Sequence, residues 1–332
     1  MPTRSTRRSF LAKLAAAPLV LSPLAAAACG GNPAVREDGS VDLTKVTLTI
    51  GDQAGIQQAL VEAAGVLDGK QYQVHWSQFA AAAPLLEALR SGAVDIGLAG
   101  DAPTLNALGS GADIKIVSAT RAVRQYGLAI VVPKGSPIRT VADLRGKTVS
   151  PTTPGSVGHY LLLSALREAG LSADDVRISF LEPVNASAAL SSGAIDAWST
   201  WDPYTAAAQL DQGATVLRDA NGLAHGLSFI NAYQEALDDP GRRAALRDFI
   251  GRYNKALEWA RANPEENARI YGDLSHRPPN VARLVSDRSQ RTGGPVDDQV
   301  TAQLQEVADN YLEFGVLREH LTIGEHVDRG LY

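Results

Sequence analysis

Asp101 and Asp202 stand 101 positions apart in matching surroundings, and each closes its segment beside a proline, as Gly100-Asp101-Ala102-Pro103 and Trp201-Asp202-Pro203-Tyr204. Two carboxylates brought together would suit acid–base chemistry. Two aspartates at equivalent turns would instead suit capping, and Asp202 could also receive the amine of a zwitterion. Neutral donors lie on small-residue loops elsewhere: Gln53, Gln78 and Ser156, with His159 on the first turn of a helix. Such donors, with backbone N–H groups at helix N-termini, hold a sulfonate, sulfate or carboxylate without a buried counter-charge. Trp198, Trp201 and Tyr204 follow at spacings of three and offer either core packing or an aromatic wall for an organic tail. Arg121 and Arg124 come after a strand ending at Thr120 and face either the anion or solvent. No Ser/His/Asp constellation is evident, the single cysteine is Cys29, and the six histidines are scattered singly, without metal-ligand spacing. No metal and no cofactor is expected.

The elements that must position these residues are duplicated. Residues 88–103, ALRSGAVDIGLAGDAP, return at 189–204 as ALSSGAIDAWSTWDPY without a gap. In each copy a helix ends at Ser-Gly, where glycine can take the left-handed C-cap conformation, and a short apolar strand follows. Around the first copy, strands at 45–50, 72–76, 96–99 and 114–119 alternate with helices, and around the second, strands at 147–150, 176–181 and 195–199 do the same. That alternation predicts βαβ sheets in two similar lobes with a cleft between them. Ligands of such sheets sit beyond the carboxyl ends of the strands, which makes the loops 51–55, 77–83, 100–104 and 151–159 the expected binding surface. Ala80, Ala81, Ala82 and Ala102 enter the candidate site as members of these loops. Pro133-Lys134-Gly135-Ser136-Pro137 breaks the apolar run 126–132 and is read as the crossing between lobes. Lobe 1 is therefore expected to comprise 45–132 plus 223–332, the latter mainly helical after a strand at 227–232, and lobe 2 to comprise 133–222.

Residues 1–28 combine Arg7-Arg8, an apolar run and a run of small residues, the layout of a twin-arginine signal peptide. Cys29 follows immediately, as at a bacterial lipoprotein cleavage site, and residues 29–44 read as a flexible tether. Removing residues 1–28 takes away Arg4, Arg7, Arg8 and Lys13 and no acid, so the formal net charge falls from −5 to −9. A chain of that charge with no basic patch is not expected to bind nucleic acid.

Gly100-Asp101-Ala102-Pro103, Gly155-Ser156-Val157-Gly158-His159 and above all Asp196-Ala197-Trp198-Ser199-Thr200-Trp201-Asp202-Pro203-Tyr204 resemble the aliphatic-sulfonate-binding proteins of bacterial ABC importers, relatives of the taurine and nitrate receptors. The resemblance departs at Ala81-Ala82-Ala83-Pro84, where the family usually has Pro-Ala-Gly-Pro, and at the loop 155–159, where Gly-Ser-Ser-Ala-His is commoner. It implies an α/β periplasmic-binding-protein-like fold of type II, two lobes joined by a hinge around a central cleft. It also implies a monomeric receptor that captures a small organic anion outside the cytoplasm, delivers it to an ABC importer permease, and touches the membrane only through a lipid on Cys29. The ligand residues it points to are Gln53, Gln78, Ala80, Ala81, Ala82, Asp101, Ala102, Thr120, Arg121, Ser156, His159, Trp198, Trp201 and Asp202. Nitrate, a sulfate ester or a pyrimidine precursor stand as alternative ligands, and an enzyme on the same fold as the alternative of another class.

Overall fold

The computed structural model describes residues 34–124 and 126–332. The signal stretch and Cys29 lie outside the described residues. No helix among the described residues is long and apolar enough to cross a membrane.

The chain builds a first sheet from β1 (Thr47–Gln53), β2 (Gln73–Phe79), β3 (Ile96–Gly100) and β4 (Ile114–Ala122), with α1 (Ile56–Ala63), α2 (Ala82–Arg90) and α3 (Asp101–Gly109) between them. It then crosses to a second sheet made of β5 (Leu128–Val132), β6 (Thr148–Ser150), β7 (Arg177–Ile178), β8 (Ala197–Trp201) and β9 (Thr215–Asp219). The helices of that part are α4 (Val157–Glu168), α5 (Pro183–Ser192) and α6 (Tyr204–Asp211). The chain returns through β10 (Leu227–Tyr233) and ends in α7 (Gln234–Asp238), α8 (Pro240–Ala262), α9 (Pro264–Ser275), α10 (Pro279–Arg288), β11 (Arg291–Gly294) and α11 (Asp298–Glu313).

The first sheet has the order β11-β4-β10-β3-β1-β2 and the second β7-β6-β8-β5-β9. Without β11 the two orders are the same pattern: parallel strands at one side, then an antiparallel strand, β10 or β5, that is the first strand after a crossing. Apolar clusters cover both faces of each sheet. Leu85, Leu89, Leu105 and Leu304 lie in one cluster of the first lobe, and Leu48, Ile50, Phe249 and Tyr253 in the other. Ile130, Val149 and Leu162 belong to one cluster of the second lobe, and Val131, Leu190 and Trp198 to the other. Two sheets with buried faces and helices on each side are the α/β two-lobed architecture expected.

The repeat has a physical reason. Asp95 accepts a hydrogen bond from Thr49 N at 2.7 Å, and its counterpart Asp196 accepts one from Thr148 N at 2.8 Å. Each aspartate thus joins the strand that starts after it to that strand's parallel neighbour, β3 to β1 and β8 to β6. Gly92 and Gly193, at the helix ends, have φ of 72° and 73°, the left-handed region that favours glycine.

The structure corrects the lobe boundary. Leu128–Val132 belongs to the second sheet, paired with β8 and β9, so the crossing falls between Ala122 and Leu128 and not at Pro133. The proline-glycine cluster marks a chain reversal inside the second lobe; such residues signal a turn, and a turn need not be a domain border. The return crossing lies between Asp219 and Leu227. The tether is also shorter than expected, because residues 34–44 fold onto the first lobe. Ala34 is 3% exposed beside Gly241 of α8, Val35 bridges Val41, and Arg36 pairs with Asp42 at 3.3 Å. Finally, Gly100-Asp101-Ala102-Pro103 is not an isolated turn: it opens α3, with proline in the first turn where its missing N–H costs nothing.

Candidate ligand cleft

Between the lobes lies a cavity of about 230 Å³. The junction of β1 and α1 contributes Gln53, Ala54, Ile56 and Gln57, the junction of β2 and α2 Ala80 and Ala82, and the start of α3 Gly100, Asp101 and Pro103. The second lobe supplies Gly127, Leu128, Ser156, Val157, Trp201, Asp202 and Pro203. The lobes meet directly around it. Tyr204 donates its hydroxyl to Ala80 O at 2.8 Å, Tyr311 donates to Ser156 O at 2.9 Å, and Arg167 pairs with Glu313 at 3.2 Å. A Cβ on Gly100 would stand 2.5 Å from Val157 Cγ1, so the start of α3 approaches the start of α4 as closely as it does only because that residue has no side chain.

Of the residues expected at the site, Gln53, Ala80, Ala82, Asp101, Ser156, Trp201 and Asp202 line this cavity. The others hold it up or lie apart from it. Gln78 braces the loop after β1, accepting from Gly55 N at 3.1 Å and donating to Asp52 at 3.2 Å and Gln58 at 2.9 Å. Ala81 and Ala102 are fully buried. Arg121 turns to Gln303 at 2.5 Å and to His225 O at 3.4 Å, so it does not face the cavity, whereas Arg124 does. His159 is buried edge-on against Phe180, 5.1 Å between ring centres, and its Nδ1 accepts from Gly155 N at 3.2 Å. Burial pulls its pKa down to about 4, which leaves it neutral and structural. Trp198 is 1% exposed and donates its indole N–H to Thr152 Oγ1 at 2.9 Å inside the second lobe. The aromatic wall is therefore Trp201 alone, with Tyr204 stacked edge-on behind it at 6.1 Å.

The helix N-termini are not equivalent either. Asp52 already occupies the start of α1, accepting from Gln57 N at 3.0 Å and Gln58 N at 3.1 Å, so that terminus is closed to a ligand anion. Burial raises the Asp52 carboxyl to about 6 against these hydrogen bonds. Ser156 caps α4, accepting from His159 N at 3.1 Å while donating to Pro151 O. Among the described residues, α2 and α3 start at the cleft with N-cap residues, Ala81 and Gly100, that offer no side-chain cap. The two repeated aspartates have also diverged. Asp202 caps α6 by accepting from Ala206 N at 2.9 Å, and stands 3.6 Å from Arg288. Asp101 accepts only from the adjacent Ala102 N at 2.8 Å. Burial raises both, Asp202 to about 7 and Asp101 to about 6.

Besides Arg124, two cations of the site come from a segment that carries no motif. Arg288, at the end of α10, and Arg291, in β11, both line the cavity. Arg291 is held from behind: Nε donates to Thr120 Oγ1 at 2.7 Å, and Nη2 donates to Thr120 O at 3.0 Å and Gly226 O at 2.7 Å. Thr120, expected to touch ligand, instead orients this guanidinium. Burial lowers the Arg291 pKa, and no carboxylate pairs with it within 4.0 Å among the described residues. Nothing in the order Ser286-Asp287-Arg288-Ser289-Gln290-Arg291 announces that these side chains reach a cleft built by residues 53–228; only the antiparallel pairing of β11 with β4 brings them there. Among the described residues no group of His, Cys, Asp and Glu could hold a metal ion.

The NMT1/THI5 like family model matches residues 74–267. The chain is 34% identical to an aliphatic sulfonates-binding protein of Escherichia coli K12 over 285 residues, 84% of this chain and 88% of that one. Among solved structures it is similar to the alkanesulfonate-binding protein SsuA of Xanthomonas axonopodis pv. citri bound to MOPS, with TM-score 0.79 and 31% identity over 86% of this chain and 98% of the other. The desulfurization enzyme DSZB shares the fold, with TM-score 0.65 at 17% identity over 86% and 97% of the two chains.

Proposed function

We propose that this chain, which belongs to the NMT1/THI5 like family, is an extracytoplasmic solute-binding protein of an ABC importer that captures an aliphatic sulfonate or a related organosulfur anion between its lobes. The observation that carries this reading is Arg291: a half-buried cation on the wall of an interlobe cavity, with its guanidinium fixed by backbone and threonine oxygens and no carboxylate within 4.0 Å among the described residues. A buried charge without a counter-ion is costly, and an anionic ligand supplies the missing partner. Arg124 and Arg288 add positive charge, the uncapped starts of α2 and α3 add N–H donors, and Trp201 with Leu128 and Leu227 offers apolar surface to the organic part.

Ligand bound here touches both lobes, so it favours the closed arrangement by its differential affinity for it. The closed form then docks on a permease. Cys29 would anchor the exported chain by a lipid, with the protein acting as a monomer at the outer face of the cytoplasmic membrane or in the periplasm. The reading as a binding protein and not an enzyme is supported by the relatives named for binding and by the bonding of His159, whose ring packs against phenylalanine and points to no nucleophile.

Calorimetric titration of the mature protein tests this. Alkanesulfonates, taurine, a sulfate ester, nitrate and a pyrimidine are titrated in turn, and a sulfonate is expected to bind most tightly, raising stability by about 2.7 kcal/mol at a hundredfold excess over Kd. Preferential binding of nitrate or the pyrimidine refutes the sulfonate assignment, and turnover of a bound compound refutes the receptor.

A further inference from the structure

Asp101 is an acid on the wall of a cavity read as an anion site. It is 4% exposed, borders that cavity, and accepts only from the adjacent Ala102 N at 2.8 Å. No Lys, Arg or His forms an ion pair with it within 4.0 Å among the described residues. Its counterpart in the repeat is placed differently: Asp202 caps α6, faces Arg288, and has its free oxygen, Oδ2, sealed from solvent.

The sheet register sets where Asp101 stands relative to Arg291. Gly100, at the end of β3, pairs with Ser228 of β10, and Ser228 pairs with Thr120 of β4. The Arg291 guanidinium is bonded to Thr120 O and to Gly226 O, just before β10. It therefore lies across β10 from Asp101, one to two strand spacings of about 4.8 Å away. An anion held against Arg291 in that gap meets Asp101 on its other side. A sulfonate head brings three acceptor oxygens and no proton, so it can accept from a carboxylic acid and is repelled by a carboxylate.

The other charged and titratable groups around Asp101 are engaged elsewhere. On α4, the Tyr160 hydroxyl accepts from Asn310 at 3.0 Å and burial keeps His159 neutral; on α11, Tyr311 donates to Ser156 O. His225, ahead of β10, pairs with Glu306 of α11 at 3.1 Å and does not line the cavity. Arg121 of β4 is turned to Gln303, Glu87 and Arg90 of α2 pair with each other in solvent, and β10 carries only Tyr233, at its far end. Arg124 and Arg288 border the same cavity and add positive charge to it. Burial raises the Asp101 carboxyl from 3.8 to about 6 against the pull of His225 and Arg291.

We propose that Asp101 meets the ligand as a carboxylic acid, donating its proton in a hydrogen bond to a sulfonate oxygen, so that capture of the anion takes up a proton from solvent and release returns it. The inference rests on the reading of the cleft as an anion site and deepens it, giving that site an acid whose protonation decides affinity. Below about pH 6 the acid is protonated with or without ligand and Kd is flat; above that, Kd rises about tenfold per pH unit.

Ethanesulfonate stays ionised throughout this range, so any proton uptake belongs to the protein. It is titrated calorimetrically into wild type, Asp101→Asn and Asp202→Asn from pH 5.5 to 8, with protons counted at pH 7.5 in imidazole and in Tris, buffers that differ in ionisation enthalpy and carry no sulfonate. Wild type is expected to take up about one proton per ligand at pH 7.5 and to weaken about tenfold from pH 7 to 8. Asp101→Asn, which keeps an acceptor for Ala102 N and carries N–H donors at every pH, is expected to take up none and to bind with a flat pH profile. Asp202→Asn is expected to take up the proton as wild type does. Binding by the wild type without proton uptake overturns the proposal and leaves the cleft reading intact. Uptake that survives in Asp101→Asn, or that is lost in Asp202→Asn, overturns it as well, assigning the proton to another group. Should Asp101→Asn fail to fold, the counts for wild type and Asp202→Asn decide alone. Absence of ethanesulfonate binding at every pH defeats the cleft reading itself, and this inference with it.

Discussion

Replacing Arg291 by methionine separates what this residue does for the fold from what it does for the ligand. In the ligand-free protein the substitution removes three hydrogen bonds, to Thr120 Oγ1, Thr120 O and Gly226 O, from a charged donor. At about 1.5 to 3 kcal/mol each, these sum to roughly 5 to 9 kcal/mol of stabilisation lost. The same substitution relieves the desolvation of a guanidinium that has no carboxylate partner, a penalty of several kcal/mol per ion, and the methionine adds apolar packing. The two contributions nearly cancel, so the ligand-free variant is expected to melt within about 2 kcal/mol of the wild type, a Tm change of roughly 4 to 8 °C in either direction. Binding has no such compensation. Truncating one partner of a desolvated charged pair costs about 2 to 5 kcal/mol, so the sulfonate Kd is expected to rise by about thirtyfold or more. Differential scanning calorimetry and ligand titration on the same preparation check both numbers. A variant that binds sulfonate within threefold of wild type refutes the assignment of Arg291 to the anion. One that loses binding only in proportion to a collapsed Tm refutes the separation.

Other substitutions follow from the same geometry. Gly100→Ala puts a methyl group into the 2.5 Å approach to Val157, so it should leave the Tm of the ligand-free protein nearly unchanged while raising Kd at least tenfold, and small-angle scattering should no longer show compaction on adding ligand. The Asp202 carboxyl is raised by burial from 3.8 to about 7, so the folded state holds its proton longer than the unfolded state; its contribution to stability is present below pH 4 and is lost as pH rises to about 7. Melts from pH 4 to 8 should show that decline in the wild type and a shallower one in Asp202→Asn, and identical slopes would contradict it. Trp198→Ala should cost about 3 to 5 kcal/mol of stability through loss of buried packing, whereas Trp201→Ala should weaken ligands with long organic parts while changing the Tm little; chemical denaturation and titration of both variants distinguish the two roles.

Local signals reported the lobes well, because they are what periodicity encodes. The alternation of strands and helices, the glycines that end helices at 92 and 193, and the Asp95/Asp196 pair all act within one lobe and between neighbouring elements. Residues on the loops at the carboxyl ends of the strands were legible for the same reason, since the sheet order places them. What stayed hidden depends on contacts across the chain. The apolar run at 128–132 reads the same whichever sheet it joins, and only pairing with β8 and β9 settles it. Trp198 and Trp201 are three apart in one strand, so its two-residue period puts them on opposite faces; which face is core and which is cleft follows from where α5 and α6 pack. Arg288 and Arg291 had no motif at all. Long-range pairing alone, between strands about 170 residues apart, gives them a role.

The interleaving of the two sheets sets the order in which the molecule can be completed. All five strands of the second sheet lie within residues 128–219. The first sheet, although its chain begins earlier, has a vacant place between β3 and β4 until β10 arrives, and it lacks an edge until β11 does. A ribosome therefore releases every strand of the later lobe before the earlier one can close, and Arg291, the residue proposed to meet the anion, is seated among the last. The binding site is finished only when the segment after residue 290 comes home, so a prematurely ended chain holds a complete second lobe and no receptor.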